Sequence, residues 1–227
     1  MVWIGFILLI IIIGLAVWQI WIAEGAHLGQ RFVVWLYEIS APYYDRIKKF
    51  DFDWERRFLG GPINEVIASL PDARLLDVGA GTGRIARTLH SLISFRGRTI
   101  NLEPSRRMLL LGRSLTNSEA ALWVQGYAVP LPFRGDSFDI VTCLELLEFT
   151  PKPRVTLSEL VRVLHPGGWL IVSNRIGWEA RWIFGRTFPS DTFPSVLEGA
   201  GLQDITIYRW QVNYDLAWAR KPLELSS

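Results

Sequence analysis

Three glycines at alternate positions, Gly79, Gly81 and Gly83, follow the run Arg74-Leu75-Leu76-Asp77-Val78 and precede Arg84. Glycine permits a sharp turn and the close approach of a ligand that any Cβ would block. The apolar run reads as a buried parallel strand, after which Ile85, Ala86, Leu89 and Leu92 recur at helical spacing. Strand, glycine turn and helix together make a nucleotide-type site, because the first helical N–H groups face the ligand unpaired. The spacing then narrows the ligand. A dinucleotide fingerprint would place its third glycine where Arg84 stands, and a phosphate loop would need a Lys-Ser or Lys-Thr pair that does not follow.

What remains is the G-x-G-x-G turn of S-adenosylmethionine sites. A second acidic position supports it. Glu103 ends the strand-like Arg98-Thr99-Ile100-Asn101-Leu102, about twenty residues past the turn, where a carboxylate accepts both ribose hydroxyl bonds. The plainer reading of Glu103 is a solvated loop carboxylate. Glu145 and Glu148 follow a later strand and are the candidates for a base, should the acceptor have to lose a proton. Equally, they open a helix whose dipole favours carboxylates. With Cys143 the only cysteine and His27, His90 and His165 far apart, the sequence offers no metal site and no disulfide. Cys143 reads as a small core hydrophobe.

Strand-like runs recur at 74–78, 98–102, 121–125, 138–144, 169–173, 204–210 and 212–218, with helical patterns at 83–93, from 105 to 111, 152–164 and 191–200. Such alternation predicts an α/β fold, a doubly wound seven-stranded and mostly parallel sheet. The last two strands, joined by a link at Gln211, must pair antiparallel, since a parallel crossover takes a dozen or more residues. Ahead of the glycine turn, Pro42 interrupts a helix and Asp53 is placed to cap the next. Gly60-Gly61 is expected to break that one, with Pro62 restarting it. Tyr43 and Tyr44 either cover a bound ligand or pack this segment onto the domain.

Net charge is +2 with both signs interspersed, so the composition gives no case for nucleic-acid binding. Half of the residues are hydrophobic and eleven are Trp. From Val2 to Ala23 no residue is charged. At ~1.5 Å per residue this run just crosses a hydrocarbon core of ~30 Å. It lacks the basic start and small-residue cleavage site of a signal peptide. An uncleaved anchor over residues 1–24 is expected, then juxtamembrane helices over 25–70 and the main domain over 71–227. Basic residues follow the span (Arg31, Arg46, Lys48, Lys49) and none precedes it, which puts the domain in the cytoplasm and the N-terminus outside.

The motifs LLDVGAGTGR at 75–84, LEPSRRML at 102–109, LPFRGDSFDIV at 131–141 and ELVRVLHPGGWLIVSNR at 159–175 occur in order, with YDLAWARKP at 214–222. Together they resemble the class I S-adenosylmethionine-dependent methyltransferases, and most nearly the small branch of ubiquinone and menaquinone C-methyltransferases. The resemblance covers residue 41 to the C-terminus. It implies a Rossmann-like fold with S-adenosylmethionine as cofactor. Gly79, Gly81 and Thr82 (with Gly83 completing the turn) would line the methionine moiety, and Asp77 would brace the turn. Glu103 would hold the ribose, Tyr127 and Ala128 would flank the adenine, and Leu144 would lie beside the sulfonium. Tyr127 departs from the family, which often has Asp there. The implied activity is methyl transfer to a small, lipophilic acceptor such as a quinone precursor or lipid, with neither metal nor nucleic acid involved. The Trp- and Arg-rich stretch 174–189 is expected to help cover that acceptor at the membrane interface, or else to pack as a lid on the domain's own core. A catalytically silent, membrane-tethered scaffold is the competing reading, and a nicotinamide-dependent reductase a third.

Overall fold

The computed structural model describes residues 2–70 and 72–223. The expected boundary at residue 71 and the last four residues lie outside them. The N-terminal helix α1 (Val2–Val17) continues through a π-helical turn at Trp18–Ile22. Trp3–Ile22 is long and apolar enough to cross a membrane; none of its residues is fully buried, and Trp18, near its end, is half-buried against the domain. Gly25 and Gly29, both at positive φ, then redirect the chain into α2 (Gln30–Ser40). A short helical turn at Pro42 separates α2 from α3 (Tyr44–Lys48).

The next helical stretch corrects the sequence reading twice. Asp51, not Asp53, caps it: its carboxylate accepts the N–H groups of Asp53 and Trp54. The stretch comprises α4 (Phe52–Glu55), a π turn at Arg56–Gly60 and α5 (Gly61–Ile67), and it passes through Gly60-Gly61 without a break. Packing explains these glycines better than helix breaking does. A Cβ on Gly60 would fall 2.6 Å from Thr88 Cγ2, so its bare Cα lets a neighbouring helix approach.

The main domain runs β1 (Arg74–Val78), α6 (Arg84–His90), β2 (Arg98–Glu103), α7 (Arg106–Thr116), β3 (Ala121–Gln125), β4 (Phe138–Cys143), α8 (Pro153–Val163), β5 (Leu164–Arg175), α9 (Phe193–Gly199), β6 (Gln203–Trp210) and β7 (Tyr214–Arg220). The sheet order is β3-β2-β1-β4-β5-β7-β6, with only β7 antiparallel to its neighbours. Strand β5 begins at Leu164 rather than 169, because Leu164 pairs with Phe138 before a bulge. Strand β7 lies two residues later than expected. Gln211, at φ 59°, starts a three-residue turn in place of a one-residue link.

Alternation along the central strands shows why helices must cover both faces. Leu76, Val78, Val141, Cys143, Leu170 and Val172 point into one core, packed by Leu157 and Leu160 of α8 and Phe193 of α9. Leu75, Ile140 and Ile171 point into the other, packed by Ile63 of α5 and Ile85 and Leu89 of α6. Successive strand residues face opposite sides, so continuous apolar runs fit only a sheet sandwiched between helices. The chain winds outward from β1 to β3, then reverses to β4 and β5. That reversal leaves a crevice at the carboxyl ends of β1 and β4.

Candidate functional site

The glycine turn lies in this crevice. The N–H groups of Gly79 and Ala80 both donate to Leu102 O, at 2.9 and 3.1 Å, fixing the turn to β2. Gly79 sits at φ +77°, and a Cβ there would come 3.0 Å from Leu146 Cδ2. Only glycine fits comfortably. Gly83, also at positive φ, serves a different need: its bare Cα faces the Trp123 ring, where a Cβ would be 2.8 Å away.

Two buried carboxylates flank the turn. Asp77 accepts a 2.6 Å bond from Thr142 Oγ1, and burial pushes its carboxyl up to about 6 although that bond opposes the shift. Glu103 Oε2 accepts the N–H of Gly81 at 2.9 Å and Oε1 accepts that of Ser105 at 2.8 Å. Burial raises Glu103 to about 7 against the pull of these two bonds. Each oxygen keeps a lone pair for another donor.

Three small hollows sharing Gly79 form one elongated cleft. The first, ≈ 30 Å³, includes Asp77, Thr82, Arg84 and Leu144. The middle, ≈ 60 Å³, includes Glu103 and Leu144, and the far one, ≈ 40 Å³, includes Leu102, Tyr127 and Ala128. The structure thus brings together Asp77, Gly79, Gly81, Thr82, Glu103, Tyr127, Ala128 and Leu144 along one line; of the cofactor residues expected from the sequence, Gly83 alone packs behind it. The acids lie at the near end and middle and an apolar slot at the far end. This is the order needed for the ammonium, ribose and adenine groups of S-adenosylmethionine. Pockets for ligands of that kind hold roughly 300–1,000 Å³, so the roof of the cleft must lift to admit one.

That roof comes from the N-terminal segment. Val33 and Val34 of α2 cover the middle and far parts, Tyr37 the middle, and Tyr44 the first and middle, with Phe50 over the first. Of Tyr43 and Tyr44, only the latter covers the cleft; Tyr43 is exposed. Ion pairs hold the roof down. Asp45 accepts from both Thr82 Oγ1 and Arg87, and Lys48 Nζ lies 2.6 Å from Glu145 Oε2. Arg84, the residue that spoils a dinucleotide fingerprint, is buried between Glu55 and Glu145 and stacked 4.5 Å over Trp210.

The two candidate bases are thereby placed. Burial alone would raise the Glu145 carboxyl, but Lys48 and Arg84 outweigh it and hold the group below the usual range. Glu148 lines none of the three hollows. It is fully buried, accepts a 2.6 Å bond from Tyr214 Oη, and is pushed up by burial. Cys143 is buried in the core and its thiol is pushed well up. Among the described residues no group of three or more His, Cys, Asp or Glu side chains is placed to hold a metal ion. Two larger hollows lie elsewhere: a shallow groove of ≈ 560 Å³ within 176–190 and another of ≈ 530 Å³ beside Trp123. Neither contains a catalytic cluster, so volume alone does not locate the site. Sequence reasoning missed the roof residues Val33, Val34 and Phe50. The apolar run QRFVVWLY was legible, but not which of its faces would turn to the cleft.

The fold is similar to that of solved methyltransferases, and the sequence similarity lies over the glycine turn and the strands that follow it. Residues 76–172 match the family described as "Methyltransferase domain". Similar proteins include the ubiquinone/menaquinone biosynthesis C-methyltransferase UbiE of Ruegeria sp. (strain TM1040), 36% identical over 110 residues, 47% of this chain and 44% of that protein. The demethylmenaquinone methyltransferase of Clavibacter sepedonicus is 36% identical over 107 residues, 47% of this chain and 42% of that one. The match therefore spans less than half the length of these relatives. Among solved structures, the [4+2]-cyclase SpnF superposes with a TM-score of 0.67 at 19% identity, covering 86% of this chain and 97% of that one. A methyltransferase from Aquifex aeolicus gives 0.61 at 16%, covering 78% and 97%. These two show the fold, and because one of them is a cyclase, the fold alone does not dictate the reaction.

Proposed function

We propose that this chain is a membrane-anchored methyltransferase that moves the methyl group of S-adenosylmethionine to a small lipophilic acceptor, a quinone precursor or a lipid. One observation carries the reading: the apolar roof of the cleft is built from the chain segment that leaves the candidate span, eight residues after Ile22. The quinone C-methyltransferase relatives support the acceptor class. When bound, the cofactor supplies an activated methyl group on a sulfonium, so the protein chiefly aligns reactants and excludes water. Glu103 would accept from the ribose hydroxyls and Asp77 would brace the ammonium end. Tyr127 and Ala128 would flank the base, and Leu144 would lie beside the sulfonium. Tyr37, Val33 and Phe149 give the middle of the cleft an apolar wall that keeps water from the reacting atoms. Glu145, held anionic by two cations, positions the roof.

The span is read as residues 1–24, with 25–70 as the roof segment and 71–227 as the catalytic domain. Its N-terminus is outside and its domain cytoplasmic; a C-terminal fluorescent fusion that stays dark while an alkaline-phosphatase fusion is active reverses that orientation. Membranes incubated with methyl-labelled S-adenosylmethionine test the activity. Label in the lipid extract supports the reading, and label confined to protein or water-soluble products overturns the acceptor class. The second reading, a catalytically silent scaffold, is favoured by the small volume of the closed cleft. Titration calorimetry separates the two, since a scaffold of that kind binds no S-adenosylmethionine. Tight NADH binding would instead revive a reductase.

A further inference from the structure

Helix α2 has two working faces. Val33, Val34 and Tyr37 turn inward over the cleft, while Arg31, Trp35 and Ile39, spaced four apart, are exposed on the other side. The exposed stripe extends to Leu28 before the helix and to Tyr43 and Ile47 after it, and each of these apolar residues leaves half or more of its surface uncovered. A second exposed group, Trp178, Trp182 and Phe184, comes from the far end of the chain. This second group packs at the foot of the span, where His27, next to Leu28 at the start of the stripe, packs as well. Trp18 Nε1 donates to Trp182 O at 3.0 Å, its ring lies 6.0 Å from that of Phe184, and His27 stacks on Trp18 at 5.3 Å. Arg175 locks the junction by pairing with Glu24 at 2.8 Å and Glu179 at 2.7 Å. Beneath them Ile183 is fully buried with Ala23, Ala26 and Phe149.

A soluble surface rarely gathers so many large apolar side chains around one point. Exposed Arg31, Arg46, Lys49 and Arg181 accompany them. Indole and phenyl rings with interspersed basic residues match the headgroup layer of an anionic leaflet, not the hydrocarbon interior. A helix whose exposed side mixes aromatic, aliphatic and basic residues suits a position in the plane of the interface.

We infer that the outer stripe of α2 and the 178–184 segment form a lipid-docking collar around the foot of the span, which seats the domain on an anionic bilayer with the roof of its cleft at headgroup depth. The occupant is the bilayer because the collar is continuous with the span that would place it there. This rests on the membrane-anchored reading above and deepens it: a span alone would let the domain tumble on its tether, whereas the collar fixes which way the cleft faces. The helix touching lipid on one side is the wall of the cleft on the other.

The full chain tests this by site-directed spin labelling, since the sole native cysteine, Cys143, is fully buried. Single substitutions Ile39→Cys, Trp178→Cys and Phe184→Cys report the collar, Ile10→Cys the span, and Ile93→Cys, at a site 92% exposed, the aqueous reference. The protein is reconstituted in phosphatidylethanolamine–phosphatidylglycerol vesicles, and label collisions with oxygen and with a water-soluble nickel chelate are compared. The collar predicts an oxygen-to-nickel ratio several-fold above that of Ile93→Cys at all three collar positions, and below that of Ile10→Cys. If Ile10→Cys is lipid-immersed while the collar labels match Ile93→Cys, the collar is overturned and the anchor stands. If Ile10→Cys is itself aqueous, the anchored reading fails and the collar with it. Shielding that occurs in native membranes but vanishes in pure lipid would mark this face as a protein contact and also overturn the collar.

Discussion

Lys48 Nζ donates a 2.6 Å hydrogen bond to Glu145 Oε2, across 97 positions of sequence. It joins α3, in the roof, to the residue that follows β4 at the floor of the cleft. Arg84 Nη1 donates to the other oxygen of Glu145 at 2.8 Å. Lys48→Met removes one of these two charge-assisted bonds and should cost about 2 kcal/mol, read as a lower urea midpoint. The pH dependence gives a second readout. The Glu145 carboxyl is depressed in the folded state, so its contribution is present above the unfolded value and lost as acid protonates the folded group. Lys48→Met should therefore blunt the acid-side loss of stability. An unchanged midpoint and acid limb would show that the bond carries no stability.

Arg84 poses a harsher case because it is buried between two acids. Removing it in Arg84→Ala leaves the buried Glu55 without its cation and Glu145 with Lys48 alone, at an expected cost of about 3–5 kcal/mol. Arg84→Met combined with Glu55→Gln should recover part of that loss, since fewer buried charges are then left alone. Thermal unfolding of the single and double variants measures the coupling. Additive losses would mean that the guanidinium acts through its stacking on Trp210 rather than its charge.

Glu103 sets a pH window. Its folded carboxyl titrates at about 7, above the ordinary 4.5, because it is buried. A raised acid binds more protons folded than unfolded, so its contribution to stability falls as pH rises from the unfolded value toward 7. Cofactor binding should run the other way. The carboxylate is the better acceptor for ribose hydroxyls and favours a cationic ligand, so affinity for S-adenosylmethionine should rise with pH through this same window. Calorimetry from acid to mildly alkaline pH checks the slope, and Glu103→Gln should flatten it. A slope that survives in Glu103→Gln would transfer the titration to Asp77, raised to about 6.

The floor of the cleft was legible in the sequence because local chemistry determines it. Positive φ at Gly79 and Gly81, the strand ends at Asp77 and Glu103, and the alternation of β1 and β4 are all readable within a few residues. The roof was not, because it depends on contacts between distant segments. Nothing near Lys48 announces Glu145, and nothing near Asp45 announces Thr82. Gly112 makes the same point. A Cβ there would overlap the Trp123 ring and come 2.9 Å from the backbone of Thr82, behind the glycine turn, and Trp123 and Thr82 are both distant in sequence. The Gly60-Gly61 pair misled in the opposite direction, since glycine chosen for close helix approach resembles glycine chosen to end a helix.

Tyr44 decides whether the roof is a gate. Its ring lies over Gly81, with 3.7 Å between Cε1 and the position a Cβ would take, and it packs on Tyr37 and Phe50 at 5.8 and 5.9 Å. A cofactor that occupies the cleft must displace this ring or pass beneath it. Tyr44→Ala should therefore speed association of S-adenosylmethionine several-fold and speed its dissociation more, leaving a weaker complex. Tyr44→Phe keeps the ring and should keep both rates, which separates gating from any role of the hydroxyl. Deleting the ring also costs about 3 kcal/mol of packing, so the rates are compared at a temperature where both variants are folded. Stopped-flow tryptophan fluorescence measures them. If Tyr44→Ala binds no faster than the parent, the ring does not limit entry, and the lifting of α2 as a whole becomes the slow step.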